Sequence, residues 1–543
     1  MSAQRLACAV VAMATVCLTL IGGGRPVRAE EKRVVDQLLD ILRQNKQITD
    51  QQYRELKRKA DQEREEDLRK SVAAPAPVPV VSPTVAVAAA APSPAPSPPP
   101  GEVALRSYFK NGWNLESADG NFKVAIGGFT QVDWAVTEPS TPVKQEFRLT
   151  GTGTGVEFRR SRLSLAGLVF GNIDFKFEYD FAEQGGGQPS FKDVYIGMSQ
   201  IPVVQYLRVG HFKEPFSLEE LTPDTYTTFQ ERALPNAFAQ PGSNIQSSGG
   251  QSSGTDRNTG FTIYQTYFDQ RMTFATGAFR ATDNFGDGFG TDSPYDVAAR
   301  VTGLPAYEVG DNLVHLGFSY NHKFRHYSGD SHTTNEGQET IQFLSRPESH
   351  LFPANLVNTG PIRTNGADVI NPELAFVRGP VAIQGEYSRA FVNQASKSCT
   401  TTNNQTTCTT LPGISNPDFD GFYIEGSYFL TGESRASYYR TQFGHFERVT
   451  PKNNFSIDGS HWGAWQVAAR FSRLDLDTSA IKQVAGNPSQ PTINPRLGAL
   501  YDITGGVNWY LNPVMRITVN YVWAHLEGVG DSNIAEGRFQ LAF

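Results

Sequence analysis

In the run Ile173-Asp174-Phe175-Lys176-Phe177-Glu178-Tyr179-Asp180-Phe181, every odd position is apolar or aromatic and every even position is charged. A period of two sends alternate side chains to opposite faces of an extended strand. A strand of a soluble sandwich also alternates, but its polar face is seldom charged at every position. Comparable segments recur at 122–136, 156–170, 172–182, 191–199, 204–213, 258–267, 272–281, 294–303, 312–324, 368–378, 381–391, 419–431, 461–475, 498–511, 514–527 and 534–543. That makes sixteen, and bacterial single-chain barrels have an even number of strands. Apolar residues are only 39% of the chain, and Leu6 to Ile21 is the one long apolar run. A bundle of membrane helices, each needing roughly 20 apolar residues, is excluded. The expected fold is an all-β transmembrane barrel of sixteen antiparallel strands, preceded by a short α-helical hairpin or coiled coil and a Pro/Ala-rich linker.

Loop lengths give an independent check. If the first strand rises from the periplasm, even-numbered gaps lie at the periplasmic end and odd-numbered gaps outside. Gly171-Asn172, Phe268 to Arg271 and Asn512-Pro513 are tight even gaps, while 214–257, 325–367 and 392–418 are long odd ones. Short periplasmic turns and long external loops are the barrel pattern. The stretch 432–460 breaks the rule, being long on the periplasmic side. It is either a true insertion or a sign of a miscounted strand. The last segment carries Phe539, Leu541 and Phe543 on one face, as expected of a strand that pairs with the first and removes the open edge.

Ahead of the barrel, residues 1–29 read as a signal peptide, with Arg5, the apolar core and a small-residue site at Val27-Arg28-Ala29. Residues 30–70 are charged and helical in pattern: Val35, Leu38, Leu39 and Leu42 share a face, and Thr49 with Gln52 offers a capping box. The expectation is a periplasmic helical or coiled-coil segment acting as a tether, stalk or partner-binding arm. The alternative is a marginal helix ordered only on self-association. Residues 71–101 are almost entirely Ala, Pro, Val and Ser and should form an extended spacer. The barrel domain is 102–543.

With the leader removed, only Cys399 and Cys408 remain, flanking a Thr/Asn-rich stretch. In an exported protein they point to a loop disulfide, the alternative being two free thiols. Of 48 basic and 55 acidic residues, 14 and 11 precede Glu102, so the barrel carries 34 and 44, a net charge of −10. Nothing in this balance favours nucleic-acid binding. Neither Asp283 to Asp292 nor the pair His322 and His326 has the spacing of a metal site, and Gly151 to Gly155 lacks the following helix of a phosphate cradle. No metal, other cofactor or catalytic residue is expected. A barrel hydrolase needs Ser and His at one level, which no strand offers, so the chain reads as a non-enzyme.

Several blocks are more specific. They are Phe158-Arg159-Arg160-Ser161-Arg162-Leu163-Ser164-Leu165 through Asp180-Phe181, Phe191 to Gly197, Arg208 to Glu220 with Phe229 to Ala237, Tyr428 to Ser434, Gly463 to Arg470, and Asn508 to Pro513. In this order they resemble the phosphate-selective porin O and P family. The resemblance covers most of 102–543. It implies a sixteen-stranded, homotrimeric outer-membrane porin facing lipid and lipopolysaccharide, passing small anions such as phosphate. It also implies a long external loop, here 214–257, folding into the barrel as a constriction.

Alternation proposes the lumen-facing bases. With Leu163 and Leu165 toward lipid, Arg160 and Arg162 point inward, and by the same parity so do Lys176, Arg208, Arg300, Arg470, Arg516 and Arg538. In the constriction loop, Lys213, Tyr226 and Arg232 are the best-placed candidates. Guanidinium groups hold oxyanions bidentately and stay charged at any relevant pH. The competing reading is structural: lumen arginines often pair with carboxylates that only stiffen the wall. The same parity sends Asp174, Glu178, Asp180, Asp193, Glu386 and Glu425 inward, and the loop reads Asp224-Thr225-Tyr226 with no lysine beside the aromatic. A general or cation-tolerant porin therefore stands beside the anion reading, as does an envelope-anchoring barrel with a partner-binding arm.

Overall fold

The computed structural model describes residues 105–110, 112–182, 190–239, 257–280, 295–325, 340–360, 362–394, 397–402, 405–410, 416–478 and 497–543. The expected leader 1–29, the expected helical segment 30–70, the expected spacer 71–101 and the stretch 283–292 lie outside these residues.

Sixteen antiparallel strands form the wall. They are β1 (Lys123–Pro139), β2 (Gly153–Val169), β3 (Ile173–Asp180), β4 (Ser190–Ile201), β5 (Gln205–Phe212), β6 (Asn258–Tyr267), β7 (Met272–Arg280) and β8 (Tyr295–Glu308). The second half comprises β9 (Asn312–Phe324), β10 (Ile362–Arg378), β11 (Val381–Gln394), β12 (Asp418–Phe429), β13 (Ala464–Asp475), β14 (Ala499–Asn512), β15 (Met515–Leu526) and β16 (Gly530–Ala542). Each pairs with its chain neighbour, and β16 pairs with β1 from Ser532↔Pro139 to Ala542↔Phe129, which closes the barrel. Phe543 extends the seam by exchanging two backbone hydrogen bonds with Gly128, both 2.9 Å. Beyond that point the free edge of β1 is covered by a hairpin, Leu105–Phe109 with Trp113–Ser117, whose second strand pairs with 123–126. All sixteen expected segments are wall strands. Several run further than the alternation showed, such as β10, which begins at Ile362, because strand ends outside the lipid need no apolar face.

The pleat sorts side chains as a membrane wall requires. On β2, Phe158 and Leu163 are 61% and 49% exposed on the lipid side, while Arg162 is 7% exposed on the other. One irregularity departs from strict alternation. Between β1 and β2 the register shifts, with Gln131 opposite Arg160 but Val132 opposite Phe158. Arg159 is the extra residue of a bulge, so Arg159 and Arg160 are both buried on the lumen side.

The stretch 432–460 is a true insertion between β12 and β13. It holds a 3₁₀ turn, Arg435–Tyr438, and a small hairpin, Tyr439–Arg440 with His445–Phe446. The described Cys-bearing strands, Lys397–Thr402 and Gln405–Thr410, pair with Cys399 directly opposite Cys408 in the backbone register.

Candidate functional site

Inside the barrel three chain segments meet. The first follows β5: Lys213 leads into a short helix, α1 (Leu218–Leu221), and a turn through Asp224 before the chain passes Arg232. α1 has few helical bonds of its own, so its first N–H groups need partners. The carboxylate of Glu386 on β11 accepts from the backbone N–H of Leu218 and Glu219 at 3.1 and 2.7 Å. The returning arm is stapled to the outgoing one by Arg232, which donates to the carbonyls of Glu219, Glu220 and Thr222 and sits 2.7 Å from Asp224. Lys213 lies 2.8 Å from Glu220. Lys213 and Arg232 therefore bind the loop to itself. Tyr226 accepts a hydrogen bond from Arg448 at 3.2 Å.

The loop is docked by its acids on basic wall positions. Asp224 lies 3.2 Å from Arg160 and 3.0 Å from Arg162, and Arg162 is also held by Asp180 at 2.8 Å. Glu231 is bidentate to Arg159 at 2.8 and 2.9 Å and sits 2.9 Å from Arg538, whose other partner is Asp133. Glu219 lies 3.0 Å from Arg470. Arg470 also holds Glu348 of the second inward segment, 340–360, at 2.6 Å. Burial alone would raise the carboxyls of Asp224 and Glu231, but the surrounding guanidinium groups, joined by Lys213 at Asp224, hold both well below the usual carboxylate range.

The third segment is the insertion after β12, which enters from the short-turn end. Arg300 on β8, paired with Glu373 at 2.7 Å, donates to the carbonyls of Phe443 and Gly444. Tyr439 bonds His315 on β9 at 2.6 Å, and Phe443 packs edge-on against Tyr206 and Tyr264 of β5 and β6. Arg448 reaches the opposite side, donating to the carbonyls of Pro513 and Ala542. The insertion thus spans the lumen. It shares a core with the loop after β5, in which Leu218 packs with Ala436, Tyr439 and Phe446.

Of the eight wall bases read from alternation, six have carboxylate partners within ion-pair distance: Arg160, Arg162, Lys176, Arg300, Arg470 and Arg538. Arg208 and Arg516 have none among the described residues. Arg208 stacks on Tyr195 at 4.2 Å within a ring of aromatics, and Arg516 donates to the carbonyl of Thr227. Three functional groups escaped the sequence reading. Arg159 turns inward only because of the bulge, and three arginines within four residues were a signal that plain alternation could not hold. Arg435 and Arg448 sit in a segment without periodicity, where only the broken loop parity marked them. Asp224 was noted for the lysine missing beside it, yet it is the anchor of the loop.

The model of the phosphate-selective porin O and P family matches residues 140–543. Porin O of Pseudomonas aeruginosa is 21% identical over 446 residues, covering 78% of this chain and 88% of that protein. An uncharacterized protein of Caulobacter vibrioides is 26% identical over 383 residues, covering 70% and 67%. Among solved structures, an anion-selective porin from Comamonas acidovorans aligns over 78% of this chain and all of its own, at 11% identity and a TM-score of 0.46.

Asp224→Asn is expected to undock the loop, since removing one partner of a buried ion pair costs on the order of 3–5 kcal/mol. It should also raise anion over cation permeability by leaving Arg160 without its carboxylate; the reversal potential in a salt gradient reads this. A carboxyl held low stabilises the fold above its unfolded pKa of about 4, and that contribution is lost only as pH falls through the lower folded value. Asp224→Asn should therefore shift the reversal potential as much at about pH 4.5 as at pH 7, as the same measurement would show.

Proposed function

The chain belongs to the phosphate-selective porin O and P family and is an outer-membrane porin; from this premise we propose that it passes small anions such as phosphate, with a preference set by arginines that have no carboxylate partner. The observation that carries this reading is the charge pairing in the lumen. Six of the eight wall bases read from alternation already face an acid, so their fields are largely cancelled. Arg208, Arg516 and Arg448 have no carboxylate within ion-pair distance among the described residues, and all three lie toward the short-turn end. Arg448 and Arg516 are tied to the loop itself, through Tyr226 and Thr227. Planar, permanently charged donors suit an oxyanion released step by step from its water.

In a planar bilayer the protein should show stepwise conductance and a reversal potential on the anion side. Arg208→Ala combined with Arg516→Ala should lower the anion-to-cation permeability ratio severalfold and relieve block of chloride current by phosphate. A cation-preferring wild type would favour the general porin reading, which the −10 charge of residues 102–543 supports. No conductance would favour an anchoring barrel.

The same reading assigns residues 1–29 to an export leader, 30–70 to a periplasmic coiled-coil arm able to meet a partner, and 71–101 to a spacer, with the barrels assembled as homotrimers. Deleting 30–101 is expected to leave single-channel conductance intact while weakening the oligomer or its envelope attachment, as oligomer mass in detergent and detergent sensitivity of cells would show. Cys399 and Cys408, paired across a two-stranded hairpin, are proposed to be bonded, because directly opposed strand positions lie within disulfide reach. Thiol titration of the unfolded, exported protein should find no free cysteine until reductant is added; two titratable thiols would refute the bond.

A further inference from the structure

The insertion after β12 has a second arm that the channel reading leaves unused. Past Arg448 the chain leaves the lumen and turns onto the outer face of the wall. The backbone N–H of Phe455 donates to Leu511, and its ring meets Trp509 edge-on at 5.3 Å. The indole N–H groups of Trp465 and Trp509 both donate to the carbonyl of Trp462, at 3.2 and 2.8 Å. Trp465 and Trp509 occupy the lipid-facing parity of β13 and β14, in line with Val467 and Val507. The segment is therefore packed on the membrane side of the barrel, at its short-turn rim. Its turn is closed by Ser456, Asp458 and Ser460, and it projects Ile457 and Trp462, which are 94% and 64% exposed.

Two large apolar side chains exposed beside an apolar wall extend a patch of the kind that marks a contact surface. The wall supplies the context: Tyr428, Leu430, Val467, Val507 and Met515 form an exposed apolar band that runs into this turn. A tryptophan at the end of such a band, flanked by polar Lys452, Asp458 and His461, has the composition of a membrane interface. We propose that residues 453–463 form an interfacial foot that seats Ile457 and Trp462 among the phospholipids of the periplasmic leaflet. The foot is joined to the lumen arm by a short, braced link. Glu433 accepts the backbone N–H of Lys452 at 3.0 Å, and Val449 packs with Phe429, Ala464 and Tyr510. Seating the foot thereby fixes the point from which the insertion enters the lumen. The proposal rests on the membrane-barrel reading, and the test separates the two.

Ile457→Cys and, independently, Trp462→Cys are made in the full chain carrying Cys399→Ala and Cys408→Ala, labelled with a nitroxide and reconstituted in phosphatidylethanolamine/phosphatidylglycerol vesicles. Folding of each is checked by heat-modifiable gel mobility, and Val467→Cys serves as the lipid-facing reference. The expected result is a high collision rate with oxygen and a low one with a water-soluble nickel chelate, matching position 467. A high nickel rate at 457 and 462 would mean a turn in water. Low rates for both reagents with spin–spin broadening would mean contact with a second copy of the chain. Either overturns the foot. A water-like reading at 467 would instead overturn the membrane placement of the wall.

Discussion

A strand inside a hydrocarbon layer has no water to satisfy its N–H and C=O groups, so every one must find a partner on the next strand. This chain meets that demand by joining β16 to β1 from Ser532↔Pro139 to Ala542↔Phe129 and carrying the seam to the Phe543–Gly128 pair. Closure then dictates the rest. Once the sheet has an inside, each strand must hand alternate residues to lipid and to lumen. The Leu163 face and the Arg162 face of β2 are the two products of one constraint. The hairpin before β1 serves the same end, because it covers the portion of that edge which β16 does not reach.

Closure also creates the next problem, an interior lined with charge. Its solution is electrostatic more than apolar. The loop after β5 brings Glu219, Glu220, Asp224 and Glu231 into the lumen, and each meets a base: Arg470, Lys213, the Arg160–Arg162–Arg232 group, and the Arg159–Arg538 pair. Buried charges left single would be costly, so the loop and wall are stable only together. Apolar contact finishes the fit. Leu218 at the start of α1 packs on Phe446 from the insertion, so segments entering from opposite ends of the barrel share one small core.

How much of this the sequence disclosed depends on whether a feature is periodic. All sixteen strands could be read, because lipid imposes a period of two on each, and the direction of Arg160, Arg300 or Arg538 followed from parity. Arg159 could not be read that way, since a bulge adds one residue and reverses the parity beyond it. Partners were also hidden. That Asp224 faces Arg160 rather than solvent depends on a loop crossing the lumen, and no local pattern encodes that contact. The insertion after β12 was visible only as an exception to loop parity. Its Arg435, Tyr439 and Phe443 lie in no regular period, so their inward direction had to come from the fold.

Pairing has a consequence for what a passing ion meets. An ion beside Asp224 with Arg160 and Arg162 faces opposite charges about 3 Å apart, and at the ionic strength of a cell their combined field fades within a Debye length of about 8 Å. Such a site supplies donors without much net attraction. Among the described residues Arg208, Arg448 and Arg516 lack a carboxylate at that range, and their surroundings are aromatic rings, hydroxyls and carbonyls that orient a guanidinium without cancelling its charge. On the proposed reading, the positive field is concentrated near the short-turn end even though the chain is acidic overall. Net charge describes the whole surface of a barrel, whereas selectivity is decided by the few side chains an ion must pass. An acidic chain and an anion-preferring lumen are compatible where carboxylates such as Asp224 and Glu231 already have basic partners.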